Sequence, residues 1–308
     1  MVALLLYMDY NWLILGDELM KYTYNTVSEK KKTLYISDLD GTLLNQSAEL
    51  SAETTNALNT MIATGLNFSI ATARSPATTA KILADLTLRI PIILMNGVLI
   101  QDTAENRYVK INKLPPDIVA KVINVLQSFD ITGFMYELKD GVLMTYYESL
   151  EQKPLSDFMK ERVARYNKVF QHTKGFDRIS REHIIYFSLL DLPERLKPVH
   201  EALVSQSGLD MALYKDTYSP DLWYLEMFSA EASKRNAVDY LRETYGFDKI
   251  VGFGDNLNDL PMFEACDVKV AVENAKQEVK DAADYICGDN EGNGVVKWLR
   301  FGVRLDGG

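Results

Sequence analysis

The chain has 308 residues, 47% of them apolar and 10% aromatic, enough to bury a core in one large domain or two smaller ones and too much for wholesale disorder. Its formal net charge of −10 works against non-specific binding to nucleic acid, which needs Lys and Arg to neutralise phosphates. Cys266, Cys287, His172, His183 and His200 fall in no zinc-type spacing, so the setting reads as reducing and cytoplasmic and the chemistry as carboxylate-based.

The first stretch, MVALLLYMDYNWLILG, is apolar but broken by Asp9 and Asn11, and it is too short to span a bilayer. It has no basic leader region and no small-residue cleavage site. Residues 1–32 are therefore expected to form an N-terminal extension with no membrane role, with Met8 and Met20 as alternative starts.

Beyond Lys30–Lys32 the pattern alternates strand and helix. TLYIS (33–37) reads as a buried strand, and SAETTNALNTMIATG (51–65) as a helix capped by Ser51 and closed by Gly65. NFSIAT (67–72) is a second strand, PATTAKILADL (76–86) a helix opened by Pro76, and IPIILMNG (90–97) a third strand. Such alternation implies a parallel sheet with right-handed crossovers.

From about Leu114 the pattern changes. A helix at 116–129 precedes ITGFMYE and VLMTYYE, two strands joined through Lys139–Gly141. A helix at 153–165, a strand at 183–190, a helix from 193 to about 206 and a strand near MALYK follow. Residues 114–220 thus read as an α+β unit inserted between core segments 33–113 and 221–308. LWYLEMF (222–228) is read as the return to parallel α/β order. A helix at 233–245, the strand KIVGFG (249–254), a helix from about Leu257, the strand VKVAV and helices at 275–283 and 295–300 complete it. The expected fold is α/β, a Rossmann-like parallel-sheet core with an inserted α+β cap.

Several of these strands end in polar or small residues: Asp38-Leu39-Asp40-Gly41-Thr42, then Thr72-Ala73-Arg74, then Asp255-Asn256-Leu257-Asn258-Asp259. In an open parallel sheet ligands bind at the carboxyl ends of the strands, so neighbouring strands would bring these loops together. In extended backbone Asp38 and Asp40 face one side, and two such carboxylates stay ionised only beside a cation. With Asp255 they form an all-oxygen set suited to Mg²⁺. Singly, each aspartate reads equally as a turn residue or helix cap. Thr72 and the amides of 72–74 precede a helix N-terminus, an anion-binding arrangement. Lys234 stands at a helix start, where a cation is unfavourable unless it meets an anion.

In chain order, DLDGTLL, ATAR, SKRNAV and GDNLNDLPMF resemble the four motifs of the haloacid dehalogenase superfamily of phosphatases. MNG at 95–97, the insert, and VKVAVENAKQEVKDAADYICGDNEGNGV resemble its Cof-type branch, and the resemblance covers about 33–302. It implies Asp38 as the nucleophile that becomes an aspartyl-phosphate and Asp40 as general acid, then base. It implies Mg²⁺ held by the Asp38 carboxylate, the Asp40 carbonyl and Asp255, with Asp259 supporting. Thr72, the Leu39 and Ala73 amides, Asn258 and Lys234 would hold the phosphoryl oxygens, and Arg74 and Asn96 would assist. The second motif has Ala73 where glycine is usual, which leaves the amide in place. Lys139, Tyr146, Tyr147 and Arg178 of the cap are candidates for touching the leaving group, although each taken singly reads rather as a surface or core residue.

The implied activity is hydrolysis of small phosphorylated metabolites, sugar phosphates foremost. A phosphomutase, and a binding or regulatory protein that has lost catalysis on the same fold, stay open.

Overall fold

In the computed structural model residues 31–216 and 221–302 are described; the expected extension, up to Lys30, lies outside them. β1 (Thr33–Ser37), α1 (Ala52–Ala63), β2 (Asn67–Ile70) and α2 (Pro76–Ile82) come first. The Ser51 hydroxyl accepts from the Thr54 amide to cap α1, and Pro76, which has no N–H to waste, opens α2. β3 (Ile92–Leu94), β4 (Leu99–Asp102) and β5 (Arg107–Ile111) make a small antiparallel sheet. The third strand read at 90–97 is thus mainly paired with β4; only a single parallel bridge, Ala71 to Ile93, ties it to the end of β2.

Next come α3 (Pro116–Ser128), β6 (Phe134–Lys139), β7 (Val142–Tyr147), α4 (Lys153–Tyr166) and β8 (Phe170–His172). β9 (Ile184–Asp191), α5 (Pro193–Leu203), β10 (Leu209–Lys215) and β11 (Trp223–Ser229) complete a six-stranded mixed sheet, ordered β10-β11-β9-β6-β7-β8. Asp140 and Gly141, both at positive φ, turn β6 into β7. The reading of 222–228 as a return to the parallel core is corrected here. β11 pairs antiparallel with β9 and β10, residue for residue from Trp223 to Phe228. Its alternating Tyr224, Glu226 against Leu225, Met227 suits a sheet with two different faces, not a doubly buried parallel strand.

α6 (Lys234–Tyr245), β12 (Lys249–Gly254), α7 (Leu260–Glu264), β13 (Val268–Val272), α8 (Gln277–Asp281), β14 (Tyr285–Cys287) and α9 (Gly294–Gly302) finish the chain. The core sheet, ordered β14-β13-β12-β1-β2, is wholly parallel. β1 and β12 lie side by side at its centre, with Leu34, Ile36, Ile250 and Phe253 fully buried. Continuous apolar runs are what a strand covered on both faces requires. The fold is therefore the expected one: a Rossmann-like parallel core with an inserted α+β cap.

The cap sheet has two distinct faces. Met135, Phe187, Leu189, Leu225 and Met227 pack with Ile118, Val122 and Leu196 of α3 and α5. The alternate residues, Tyr136, Tyr186, Ser188, Tyr224 and Glu226, face a cavity shared with the core.

Candidate active site

The Asp38, Thr72 and Asp255 loops each sit where a core strand ends, and Lys234 arrives at the start of α6, after β11 of the cap sheet. The Asp38 amide still donates to the Phe253 carbonyl at 2.9 Å, but the chain then curls, and Leu43 and Leu44 both donate back to the Leu39 carbonyl. Gly41 makes this curl possible at φ +78°, and a Cβ there would collide with the Asp255 carboxylate. Thr42 Oγ1 donates to Asp255 Oδ1 at 2.9 Å, so the first and last loops are tied directly.

The curl changes what the aspartate pair does. Strand alternation stops at Asp38, and the two carboxylates take different partners instead of a shared one, correcting the expectation from extended geometry. Asp38 is buried and accepts from Lys234 Nζ at 2.6 Å. Asp40, with half its side chain exposed, is gripped by Arg74 through two hydrogen bonds of 2.7 and 2.5 Å.

Lys234 begins α6, whose N-cap Ser233 accepts from the Asn236 amide at 2.9 Å. Its ammonium lies between Asp38 Oδ1 and Asp259 Oδ1, both at 2.6 Å. Burial alone would lower its pKa, but Asp259 and Asp38 hold it well above the ordinary lysine range. The unfavourable helix-start cation thus meets two anions. The MNG turn abuts this helix start: a Cβ on Gly97, at φ +98°, would strike the Ser233 main chain. Asn96 is also at positive φ, donates its amide to the Thr72 carbonyl at 3.0 Å, and keeps a buried Oδ1 without a hydrogen-bond partner.

Asp259 is fully buried and serves as a bracket. Its Oδ2 accepts from the Asp255 and Asn256 amides at 3.0 and 3.1 Å, while its Oδ1 takes Lys234. Asp38, Asp255 and Asp259 each place a carboxylate oxygen within 4.8 Å of the others. Asp38 is raised well above the carboxylate range by burial and by Asp259, against the pull of Lys234. Asp255 is pushed up to about 7 by burial and Asp259. One ammonium does not satisfy three desolvated carboxylates, and an all-oxygen set short of positive charge fits a divalent cation of the Mg²⁺ type. Among the described residues this side-chain set includes Asp259 and leaves the Asp40 carboxylate outside.

Thr72 is buried; its Oγ1 accepts from the Arg74 amide at 3.1 Å, so its own O–H is left to donate outward. Ala73 and Arg74 line a cavity of about 610 Å³ that also takes in Asp40, Gly41 and Asp255. Leu39 is buried just after Asp38, whereas Asn258 is exposed and Asn256, not Asn258, lines the cavity. The four cap candidates do not line the cavity and take the surface or packed positions that each suggests singly. Lys139 and Arg178 are exposed, Tyr146 donates to Glu137 at 2.8 Å, and Tyr147 meets the His172 ring. Lys168, Tyr186, Tyr214 and Glu226 line the cavity in their stead. Strand register, which sets which alternate residues face inward, is the signal for Tyr186, Tyr214 and Glu226; Lys168, between α4 and β8, carries none.

A family model described as haloacid dehalogenase-like hydrolase matches residues 35–299. Two relatives from Bacillus subtilis are similar over nearly the whole chain. The 5-amino-6-(5-phospho-D-ribitylamino)uracil phosphatase YitU is 25% identical over 278 residues, covering 88% of this chain and 98% of that protein. The phosphatase of the same description named YwtE is 26% identical over 283 residues, covering 85% and 95%. In fold, the chain superposes with a TM-score of 0.74 and 22% identity on a haloacid dehalogenase-like hydrolase from Bacteroides thetaiotaomicron, covering 88% of this chain and 99% of that one.

Proposed function

The chain belongs to the haloacid dehalogenase-like hydrolases, and from that membership we propose a Mg²⁺-dependent phosphatase of the Cof-type branch that releases phosphate from small phosphorylated metabolites, sugar phosphates foremost, in the cytoplasm. One observation carries the reading: the buried Asp38 carboxylate, held at 2.6 Å by Lys234, within a cluster of three carboxylates.

Asp38 attacks phosphorus, a carboxylate oxygen–phosphorus bond forms, and the ester oxygen–phosphorus bond breaks. Asp40 gives its proton to the departing oxygen, then takes one from the water that hydrolyses the aspartyl-phosphate. Phosphate leaves and Asp38 is restored. Thr72, the Leu39 and Ala73 amides and Lys234 hold the phosphoryl oxygens, since phosphoryl transfer depends mainly on positioning and charge; Asn258, exposed and away from the cavity lining, is left out of that set. Asp38, Asp255 and the Asp40 carbonyl, with Asp259 bracketing the loop, would hold Mg²⁺, which supplies positive charge to the phosphoryl oxygens. Arg74 positions Asp40, and Asn96 supports the loop beside it. The insert, which we place at 114–229 to keep β11 within its sheet, covers the site and selects the leaving group. The phosphoribityl compound in the YitU and YwtE descriptions, a sugar-alcohol phosphate, supports the sugar-phosphate class.

The test is phosphate release from p-nitrophenyl phosphate and a panel of sugar phosphates. Removing divalent metal with EDTA should reduce turnover to background, and Mg²⁺ should restore it; full turnover in EDTA would overturn the metal assignment. Asp40→Asn should lower kcat by roughly 10²–10⁴-fold, the range of a lost general acid–base. Unchanged kcat in steady-state assays would remove Asp40 from that role.

A further inference from the structure

The cap wall of the cavity carries groups that the phosphoryl chemistry leaves unused. Glu226 is buried, and its Oε2 has no hydrogen-bond partner; the buried Tyr186 hydroxyl has none either. Burial pushes the Glu226 carboxyl up to about 7, although the Tyr186 and Tyr214 hydroxyls stand beside it and pull the other way. Lys168 lies in the same cavity, buried, with its Nζ 3.2 Å from the Tyr136 hydroxyl and 4.4 Å from the centre of that ring. Burial, with Arg162 nearby, lowers it to about 7, and no carboxylate pairs with it within ion-pair distance among the described residues.

Glu226, Tyr136 and Tyr186 stand on the sheet, and Lys168 on the segment that joins α4 to β8. Glu226 pairs across to Ser188 in register, and Tyr136 pairs with Tyr186. Adjacent residues on the opposite face are ordinary core: Phe187, Leu189, Leu225 and Met227 are all fully buried. A hydrophobic side chain at 226 would suit that environment better, because a buried polar atom without a partner loses its hydration and gains nothing in return. Strands hold such atoms more rigidly than loops do, so a ligand meets them already in place.

Building on the phosphatase reading above, we propose that Glu226 and Lys168, with the Tyr136 and Tyr186 rings, form the leaving-group subsite for a phosphate monoester that is rich in O–H or N–H donors and also offers an acceptor. Glu226 Oε2 accepts from a donor of the leaving group, Lys168 Nζ and the Tyr186 hydroxyl donate hydrogen bonds to its acceptor, and the Tyr136 and Tyr186 rings flank its body. The same cavity of about 610 Å³ is also lined by Asp40, Ala73 and Arg74, so the subsite and the phosphoryl chemistry share one chamber. Two sources share this chemistry, a polyol such as a sugar and an amino-bearing heterocycle.

The experiment compares kcat/KM for p-nitrophenyl phosphate, which offers no donor on its ring, with ribose 5-phosphate and glucose 6-phosphate in one arm and adenosine and cytidine 5′-monophosphates in the other. Glu226→Gln and Tyr186→Phe should each lower kcat/KM for the preferred arm by about tenfold or more beyond any loss with p-nitrophenyl phosphate. Tyr186→Phe removes only the unpartnered hydroxyl and guards against misfolding of the first variant. The arm that responds identifies the source. Equal losses on all substrates in both variants overturn the subsite while leaving the phosphatase reading intact. No hydrolysis of p-nitrophenyl phosphate by the wild-type chain with Mg²⁺ overturns that reading, and the subsite with it.

Discussion

Asp38→Asn should abolish phosphate release while leaving the chain folded. The side chain is nearly isosteric, Lys234 keeps Asp259 at 2.6 Å, and the β1–β12 pairing does not involve the carboxylate. The amide oxygen is too weak a nucleophile to attack phosphorus, and its conjugate acyl product cannot form in the same way. Removing a negative charge from a cluster whose members raise one another also relieves repulsion. Without metal, the variant should therefore melt at or above the wild-type temperature. Steady-state assays and thermal melts measure the two halves separately. Wild-type kcat would refute the nucleophile assignment; a low melting temperature would show that the carboxylate has a structural duty the geometry does not reveal.

Lys234→Met is expected to have the largest effect on stability. Lys234 is 2% exposed and ion-paired at 2.6 Å to both Asp38 and Asp259. Removing it leaves two buried carboxylates without their cation, a loss of about 3–5 kcal/mol. Turnover should fall by about 10²-fold or more, since a preorganised charge at the phosphoryl oxygens is lost. Denaturant melts of the metal-free protein check the first expectation. Adding Asp259→Asn to Lys234→Met should recover part of the stability, because it removes one of the stranded charges. A double variant less stable than the single one would mean that the bracket on the Asp255 and Asn256 amides outweighs the charge term.

The sequence makes the core legible because local pattern and position agree there. Thr33–Ser37, Lys249–Gly254 and the helix at Lys234 have apolar runs, caps and closing residues that leave little choice. The motifs also bring Asp38, Thr72 and Asp255 to neighbouring strand ends, and Lys234 to the helix start that meets them. What stayed hidden depends on contacts far along the chain. The Asp40 side chain turns away because Gly41 curls the loop and Arg74 is there to meet it. β11 looks like a core strand by composition, and only its pairing with β9 and β10 assigns it to the cap. Tyr146 and Tyr147 of β7 lie one strand from Tyr136 and two from Tyr186 but do not line the cavity. The short strands β8 and β14, three residues each, carry too little pattern to stand out.

The central pairing of the core has a consequence for how the molecule comes into being. Thr33 lies opposite Lys249, with the whole cap encoded between them. During synthesis β1 leaves the ribosome long before its neighbour exists, and its apolar face must wait through the translation of more than two hundred residues. Pairings this distant in sequence pay loop-closure entropy first and are slow to form. Until β12 docks, Asp38 lacks Lys234, Asp255 and Asp259. Activity is thus acquired in one late step, and chains truncated between Ser229 and Lys249 should hold every strand of the cap sheet but neither Asp255 nor Asp259.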